Sequence, residues 1–369
     1  PLNIIIVGAG IAGLTAAIGL RKDGHRVRVI ERSALKSEVG AALTISPNAC
    51  RVLLSLGLDL KKMRTVPASG SKLVHADQEN LQLGGFRVNL GDATEKYGAP
   101  FVFSHRVDLH DALKSKALAS DGEGTPVELV PGASVVSYDP EMGSVTTEDG
   151  TVYTADLIVA ADGLRSKAHE YILGHKFPAR PSKTTVMRFT LPTDAILADP
   201  STAPLMEGGQ DVLRAYVISD VNRYLLQYPC RDNLLQNFVA YDMNDTDNPD
   251  TDNWSLKTNR EYLIRRMRGF HPAILALCER SDEVMPLWRC IDRDPLPKLQ
   301  RGRLVVIGDA AHPMYPHQGQ GAAFSIEDGG ILGYLFSPAC PVKDISHCLQ
   351  LFEKIRLDRV SRMQVWSRL

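Results

Sequence analysis

The 369-residue chain has no run of about 18 consecutive apolar residues, so no membrane-spanning helix is expected from its sequence. Its early apolar stretch, residues 4–7, is too short for the core of a secretory leader. It has no excess of either charge: 42 Lys and Arg stand against 43 Asp and Glu. Without a basic field, nucleic acid and anionic membranes are not expected partners. Six cysteines (Cys50, Cys230, Cys278, Cys290, Cys340 and Cys348) include no CxxC pair. That spacing argues against a zinc site and a disulfide framework, and suits a reducing, cytoplasmic setting. Internal repeats and low-complexity segments are also missing. What remains is 44% hydrophobic and 23% charged, the composition of a soluble globular chain. The length suggests two domains, or one large domain with an insertion.

The pattern is that of an interrupted α/β protein. Asn3-Ile-Ile-Ile-Val7 is a continuous β-branched run, as expected for a strand buried on both faces. Glycines follow, then a periodic helix over Leu14–Lys22 that Gly24 terminates, then a second strand at Val27–Ile30. The periodicity predicts helices over 47–62, 106–120, 259–280, 320–336 and 345 to the end. Strands are expected at Ser134–Tyr138, Ser144–Thr147, Val152–Tyr153, Asp156–Ala160 and Leu304–Ile307, with Glu148-Asp149-Gly150 as a turn. From about 180 to 241 the sequence alternates, and Val212–Ile218, Arg223–Tyr228 and Leu235–Tyr241 read as neighbouring antiparallel strands. Residues 242–253 read as a polar loop. The parallel-type strands thus lie toward the two ends of the chain, with an antiparallel sheet inserted between them.

Four segments carry chemistry. The first, Gly8-Ala9-Gly10-Ile11-Ala12-Gly13, joins the first strand to its helix. Gly8 permits the tight turn, Gly10 lets a pyrophosphate approach the backbone, and Gly13 lets helix and strand pack closely. The phosphates would meet free N–H groups at the helix N-terminus. Glu31, at the end of the second strand, stands where a carboxylate accepts from ribose hydroxyls. This segment does not by itself separate NAD from FAD. The second is Arg106, at the start of a helix, which suits a pyrophosphate partner and equally a solvated surface arginine. The third, Ala160-Ala161-Asp162-Gly163, suits a ligand-facing turn and equally an ordinary one. The fourth is Gly308-Asp309-Ala-Ala-His312-Pro, followed by Pro316 and by Gly319-Gln320-Gly321-Ala322 opening a helix with Glu327-Asp328. Asp309 at a strand end suits ribityl hydroxyls. Gly319 and Gly321 expose N–H groups that favour negative charge on the N1/C2 side of a reduced flavin. This last segment turns the dinucleotide into FAD.

The order of these segments, with Glu31-Arg32 and Arg106, resembles the single-component FAD-dependent aromatic hydroxylases, such as para-hydroxybenzoate and salicylate hydroxylases. The likeness runs from residue 3 to about 365. Val39-Gly40-Ala41-Ala42-Leu43, Ser46-Pro47-Asn48-Ala49 and Gln318-Gly319-Gln320-Gly321 resemble the salicylate hydroxylase-like branch common in fungal secondary metabolism. The resemblance implies an α/β, Rossmann-like FAD-binding domain of residues 1–70, 98–178 and 270–369, with an inserted antiparallel-sheet substrate domain of 71–97 and 179–269. It implies non-covalent FAD held by Gly8, Gly10, Ile11, Ala12, Gly13, Glu31, Arg32, Ala42, Arg106, Asp162, Gly308, Asp309, Pro316, Gly319, Gly321 and Ala322. It implies NADPH or NADH as a transient co-substrate, which fits the absence of a second GxGxxG, and O2 activated as a flavin C4a-hydroperoxide. The expected substrate is a small aromatic molecule, phenolic or polyketide-like, and the expected assembly a monomer or homodimer. Arg188, Tyr216, Tyr228 and His317 are the candidates to face substrate, Arg188 as a partner for phenolate or carboxylate. Two other readings share much of the pattern: an indole-alkaloid epoxidase or hydroxylase, and a non-redox flavoprotein cyclase or isomerase. A flavin halogenase would carry a Trp-x-Trp signature, whereas Trp254, Trp288 and Trp366 are isolated.

Overall fold

The computed structural model describes residues 1–35, 40–82, 87–220, 222–247, 256–338 and 344–368. Val39, Trp254, Cys340 and residues 248–253 of the expected polar loop lie outside the described residues. No helix among the described residues is long and apolar enough to cross a membrane.

The strand Asn3–Val7 is central to a six-stranded sheet, as its run of buried Ile4, Ile5 and Ile6 requires. It pairs in parallel with Arg26–Glu31 on one side and Leu157–Ala160 on the other. Glu128–Pro131 extends the first side. Leu304–Val306 extends the second in parallel, and Gln300–Arg301 closes that edge antiparallel. Segments from both chain ends therefore share one sheet. In this register Val7 lies beside Ala160, and Ala160 beside Val306. Parallel strands end at the same edge, so the loops starting at Gly8, Ala161 and Gly308 emerge side by side. That edge is where open α/β sheets bind ligands. Behind it the helices Ile11–Lys22 and Gly321–Leu335 cross at glycines. A Cβ on Gly329 would lie 2.6 Å from the Ala16 nitrogen, and one on Gly333 2.9 Å from the Gly19 Cα. Close packing of these two backbones brings both helix N-termini to one cleft.

The second sheet runs in the order Lys257–Asn259, Val284–Asp292, Arg180–Pro192, Leu235–Asp242, Arg223–Cys230, Val212–Val217, Gly70–Asp77, Asn80–Gln82, and Arg87–Asn89 also pairs with Gly70–Asp77. Its two faces are sorted by the strand period of two. Met187, Phe189, Tyr216, Leu225, Phe238 and Ala240 form an apolar layer with Leu263, Ile274 and Leu277 of the covering helices Arg260–Arg266 and Pro272–Glu279. Burying a side chain such as Phe238 there contributes roughly 2–3 kcal/mol. Val186, Tyr228, Val239 and Tyr241 face the opposite way, toward the first unit.

Several expectations change. The helix expected over 47–62 stops at Ser55, because Gly57 turns the chain at φ +76°. The helix expected over 259–280 is two, separated by Gly269 at φ +95° and restarted by Pro272 in its first turn. The second sheet also continues past residue 270. Helix Pro272–Glu279 and strand Val284–Asp292 belong to its layers, although the sequence reading returned the chain to the first unit there. Strands Ala42–Ile45 and Val102–His105, which pair with each other, were not expected.

Candidate active site

The glycines of the first loop divide by what surrounds them. Gly8 has φ +102°, and a Cβ there would lie 2.4 Å from the Ala161 oxygen. A Cβ on Gly13 would lie 2.0 Å from the Gly8 oxygen. Protein packing alone requires both. Gly10 and Gly321 differ, since a Cβ at either would meet no atom of the described residues within 4 Å. Both line one cavity, at the N-termini of helices whose capping residues contribute no side-chain hydrogen bond. Two sets of exposed N–H groups therefore face the same space, where a pyrophosphate and an electron-rich ring edge would be stabilised. The Glu31 carboxylate accepts from Ala9 N–H at 2.7 Å and from Ser33 N–H at 2.7 Å. Each oxygen keeps a lone pair for a ribose hydroxyl. Arg32 is exposed and lies outside the cavity lining. Buried His110 donates from Nε2 to the Ala9 oxygen at 2.7 Å, tying the helix Arg106–Leu118 to this loop. Arg106 at the head of that helix lines the cavity.

The cavity is about 690 Å³ and lies between the two sheets. Ile11, Ala12, Ala42, Asp309, Pro316, Gly319 and Ala322 all line it. Asp309 is open to this cavity and enclosed by protein elsewhere, so burial pushes its carboxyl pKa up, while His312 and Arg106 pull it down. Asp162 is placed differently from expectation. Its side chain is turned away from the cavity and accepts from the Tyr138 hydroxyl at 2.9 Å, while Ala161 and Gly163 line the space. Burial raises the Asp162 pKa, and hydrogen bonds from Ser166 and Tyr138 oppose this.

A buried ionic cluster holds the Asp309 turn. Gly308 (φ +59°) donates its N–H to Asp328 Oδ2 at 2.8 Å, and His312 Nε2 donates to the same oxygen at 2.6 Å. Arg356 donates to Asp328 Oδ1 at 2.6 Å and to Glu327 Oε2 at 2.6 Å. Arg359 and Asn48 complete the Glu327 contacts at 2.7 and 2.8 Å. Burial alone would raise the Asp328 pKa, but Arg356, His312 and the Gly308 N–H together hold it down to about 2. Glu327-Asp328 stands out in the sequence as a motif without an evident role, and Arg356 does not stand out at all. The available signal was an acidic pair inside a helix with no polar stripe to face water.

The wall from the second sheet is set by strand parity. Leu213 and Ala215 line the cavity, so Arg214 and Tyr216 point the other way. Tyr216 is wholly buried there, donating to Gln227 Oε1 at 2.6 Å, and has no access to a substrate. Its proposed catalytic role is thereby corrected. Tyr228 does line the cavity, but its hydroxyl is committed to the Ala42 oxygen at 2.9 Å. It offers a ring face, stacked on Phe103 at 5.5 Å, rather than an acid or base. Tyr224, not foreseen, and Tyr241 stack at 4.3 Å and 13° on the same wall, and the Tyr224 hydroxyl is hydrogen-bonded to His317 Nδ1. Arg188 also faces the cavity. Its guanidinium lies 5.2 Å over the Trp288 ring, and among the described residues its buried Nε has no hydrogen-bond partner and the side chain makes no ion pair. Paired helix N-termini, a ribose-height glutamate and a cavity-facing aspartate fit FAD, and the tyrosine wall lines the same cavity.

The comparisons with known proteins agree with this geometry. The FAD binding domain family matches residues 2–364. The FAD-dependent monooxygenase cfoG of Aspergillus candidus is 36% identical over 373 residues, 99% of this chain and 84% of that protein. Hispidin-3-hydroxylase of Neonothopanus nambi is 32% identical over 368 residues, 97% of this chain and 86% of that protein. A solved salicylate hydroxylase substrate complex superposes with a TM-score of 0.80 at 28% identity, covering 100% of this chain and 87% of that one. With a cavity that two helix N-termini and Asp309 shape for a flavin dinucleotide, the chain belongs to the FAD binding domain family and is an FAD-dependent monooxygenase.

Proposed function

We propose that this monooxygenase hydroxylates an electron-rich phenolic ring held against the Tyr224, Tyr228 and Tyr241 wall, with NAD(P)H as the reductant. The observation that carries the reading is Arg188, a cation without a described carboxylate partner on the same cavity as that aromatic wall. Bound FAD supplies the acceptance of hydride and the activation of O2. The chain's own residues do the rest. Arg188 stabilises a phenolate oxygen, favouring the ionised and more electron-rich ring, or anchors a carboxylate and so orients the ring. The tyrosine faces exclude water and fix the ring's orientation. Burial lowers the His317 pKa, so its imidazole is neutral near pH 7. Burial raises the Tyr224 pKa, so its phenol keeps its proton and donates to His317 Nδ1. The imidazole proton then sits on Nε2, as a donor for a substrate oxygen.

A panel of phenols and indoles, followed by NAD(P)H oxidation and product mass, tests the reading. Phenols should stimulate oxidation and return products heavier by one oxygen. A response confined to indoles would move the substrate class, and no response to either would overturn it. Arg188→Ala should keep FAD and lose about 10- to 100-fold in kcat/KM, the loss expected for a hydrogen bond to a charged group. Loss of the flavin from this variant would place Arg188 on the cofactor instead.

A further inference from the structure

The strand Ala42–Ile45 lies between the second sheet and the loop at Gly319, and both hold it. Ala42 is gripped through both of its backbone polar groups. Its N–H donates to Asn237 Oδ1 at 3.2 Å, and its carbonyl accepts from the Tyr228 hydroxyl at 2.9 Å. The Asn237 amide orientation follows from this, since the flipped amide would set two donors face to face. Tyr228 and Asn237 are directly opposite one another on adjacent strands of the second sheet. A single cross-strand pair therefore clamps a single residue, through the two peptide groups that flank its Cα. Two residues on, the Thr44 hydroxyl donates to the Gly319 oxygen at 2.9 Å. Gly319 has φ +61°, and a Cβ there would lie 2.6 Å from Thr44 Oγ1, so the contact is close as well as polar. Ala42, Thr44 and Gly319 all line the cavity, and Gly319 stands two residues before the helix N-terminus at Gly321.

We propose that Tyr228 and Asn237 are positioning residues: their grip on Ala42 straps the strand Ala42–Ile45 to the substrate sheet and, through Thr44, sets the Gly319 loop against the flavin. The inference rests on FAD occupying this cavity. It makes the ring face offered to substrate and the hydroxyl that steadies the cofactor two parts of one residue. A rigid connection of this kind has a distinctive energetic signature. Cutting it at either end releases the same strap, so the second cut adds little.

The test is a double-mutant cycle on FAD affinity, read by flavin fluorescence on the full chain. Tyr228→Phe keeps the ring and removes the hydroxyl; Thr44→Val keeps the shape and removes the other hydroxyl. Each should weaken FAD about 3- to 10-fold, the effect of one buried hydrogen bond. The double variant should be no weaker than the worse single one. Thr44→Ser restores the hydroxyl and should bind FAD within about twofold of wild type. The flavin absorption bands should shift in the same sense in both single variants. General destabilisation is read separately, from the thermal midpoints of the FAD-free proteins. Affinity losses that multiply in the double variant, or wild-type affinity in Tyr228→Phe, would overturn the inference. If Tyr228→Phe does not fold, Asn237→Ala takes its place in the cycle with the same criteria. A wild-type protein that binds no FAD overturns the cofactor assignment itself, and the inference with it.

Discussion

Asp328→Ala should lower the thermal midpoint by about 5 °C and strip the protein of FAD. Asp328 is buried at 1% exposure and accepts from three donors: the Gly308 N–H, His312 and Arg356. Removing it leaves the Arg356 guanidinium, equally buried, with Glu327 as its remaining carboxylate. Breaking one partner out of a buried ion pair costs about 3–5 kcal/mol, against a total stability of about 5–15 kcal/mol. The Gly308 N–H also loses its acceptor, so the turn that presents Asp309 loosens. Asp328→Asn keeps the shape but not the charge, and should fall between. Acid titration gives an independent reading. The Asp328 pKa is depressed in the folded protein, from 3.8 to about 2. Its contribution, on the order of 2 kcal/mol, is present above about pH 4 and is lost as pH falls toward 2. The alanine variant should show a shallower loss of stability over that window. A midpoint within a degree or two of wild type would mean that the cluster does not hold this turn.

The sequence made the first unit legible for a physical reason. A strand buried on both faces must be a continuous apolar run, and a pyrophosphate turn must be glycine-rich, so Ile4–Val7 and Gly8–Gly13 declare themselves locally. The Asp309 turn and the glycines before residue 321 are legible in the same way. What depends on register was not. Tyr216 and Tyr224 are both tyrosines on alternating strands, yet only Tyr224 faces the cavity. A shift of one residue exchanges the faces of a strand, and nothing in the local composition fixes that choice. Strand Val284–Asp292 was hidden by Pro286, which argues against a central strand. The structure resolves the conflict by ending the ladder with Arg180–Pro192 at Leu287, so Pro286 is paired only with Lys257 of the short edge strand Lys257–Asn259, where the ladder hydrogen bond comes from Leu287 N–H to the Leu256 oxygen. Arg356 was hidden differently. Its partnership with Asp328 arises from the crossing of two helices and leaves no mark in either helix's periodicity.

Asp309→Ala should leave the fold intact and abolish practical retention of FAD. No hydrogen bond among the described residues uses the Asp309 carboxylate, and the side chain opens onto the cavity. Removing it therefore takes no hydrogen bond from the apoprotein, and the attraction to His312 and Arg106 that goes with it is outweighed by the burial that disfavours the ionised carboxyl. The cost falls on the bound state. Hydrogen bonds to a charged group contribute about 1.5–3 kcal/mol each, so losing the contact with ribityl hydroxyls should weaken FAD by about 100-fold. Asp309→Asn retains an acceptor and should lose about tenfold. Three measurements separate this from damage to the fold. The FAD-free variant should melt at the wild-type temperature. Added FAD should raise that temperature less than in wild type, because ligand stabilisation follows the ratio of free ligand to Kd. Desalting should leave the variant colourless while wild type stays yellow. If the variant keeps its colour and its wild-type Kd, the ribityl chain does not lie on Asp309. The flavin would then be held by the helix N-termini at Gly10 and Gly321 alone, with the carboxylate facing another part of the cavity.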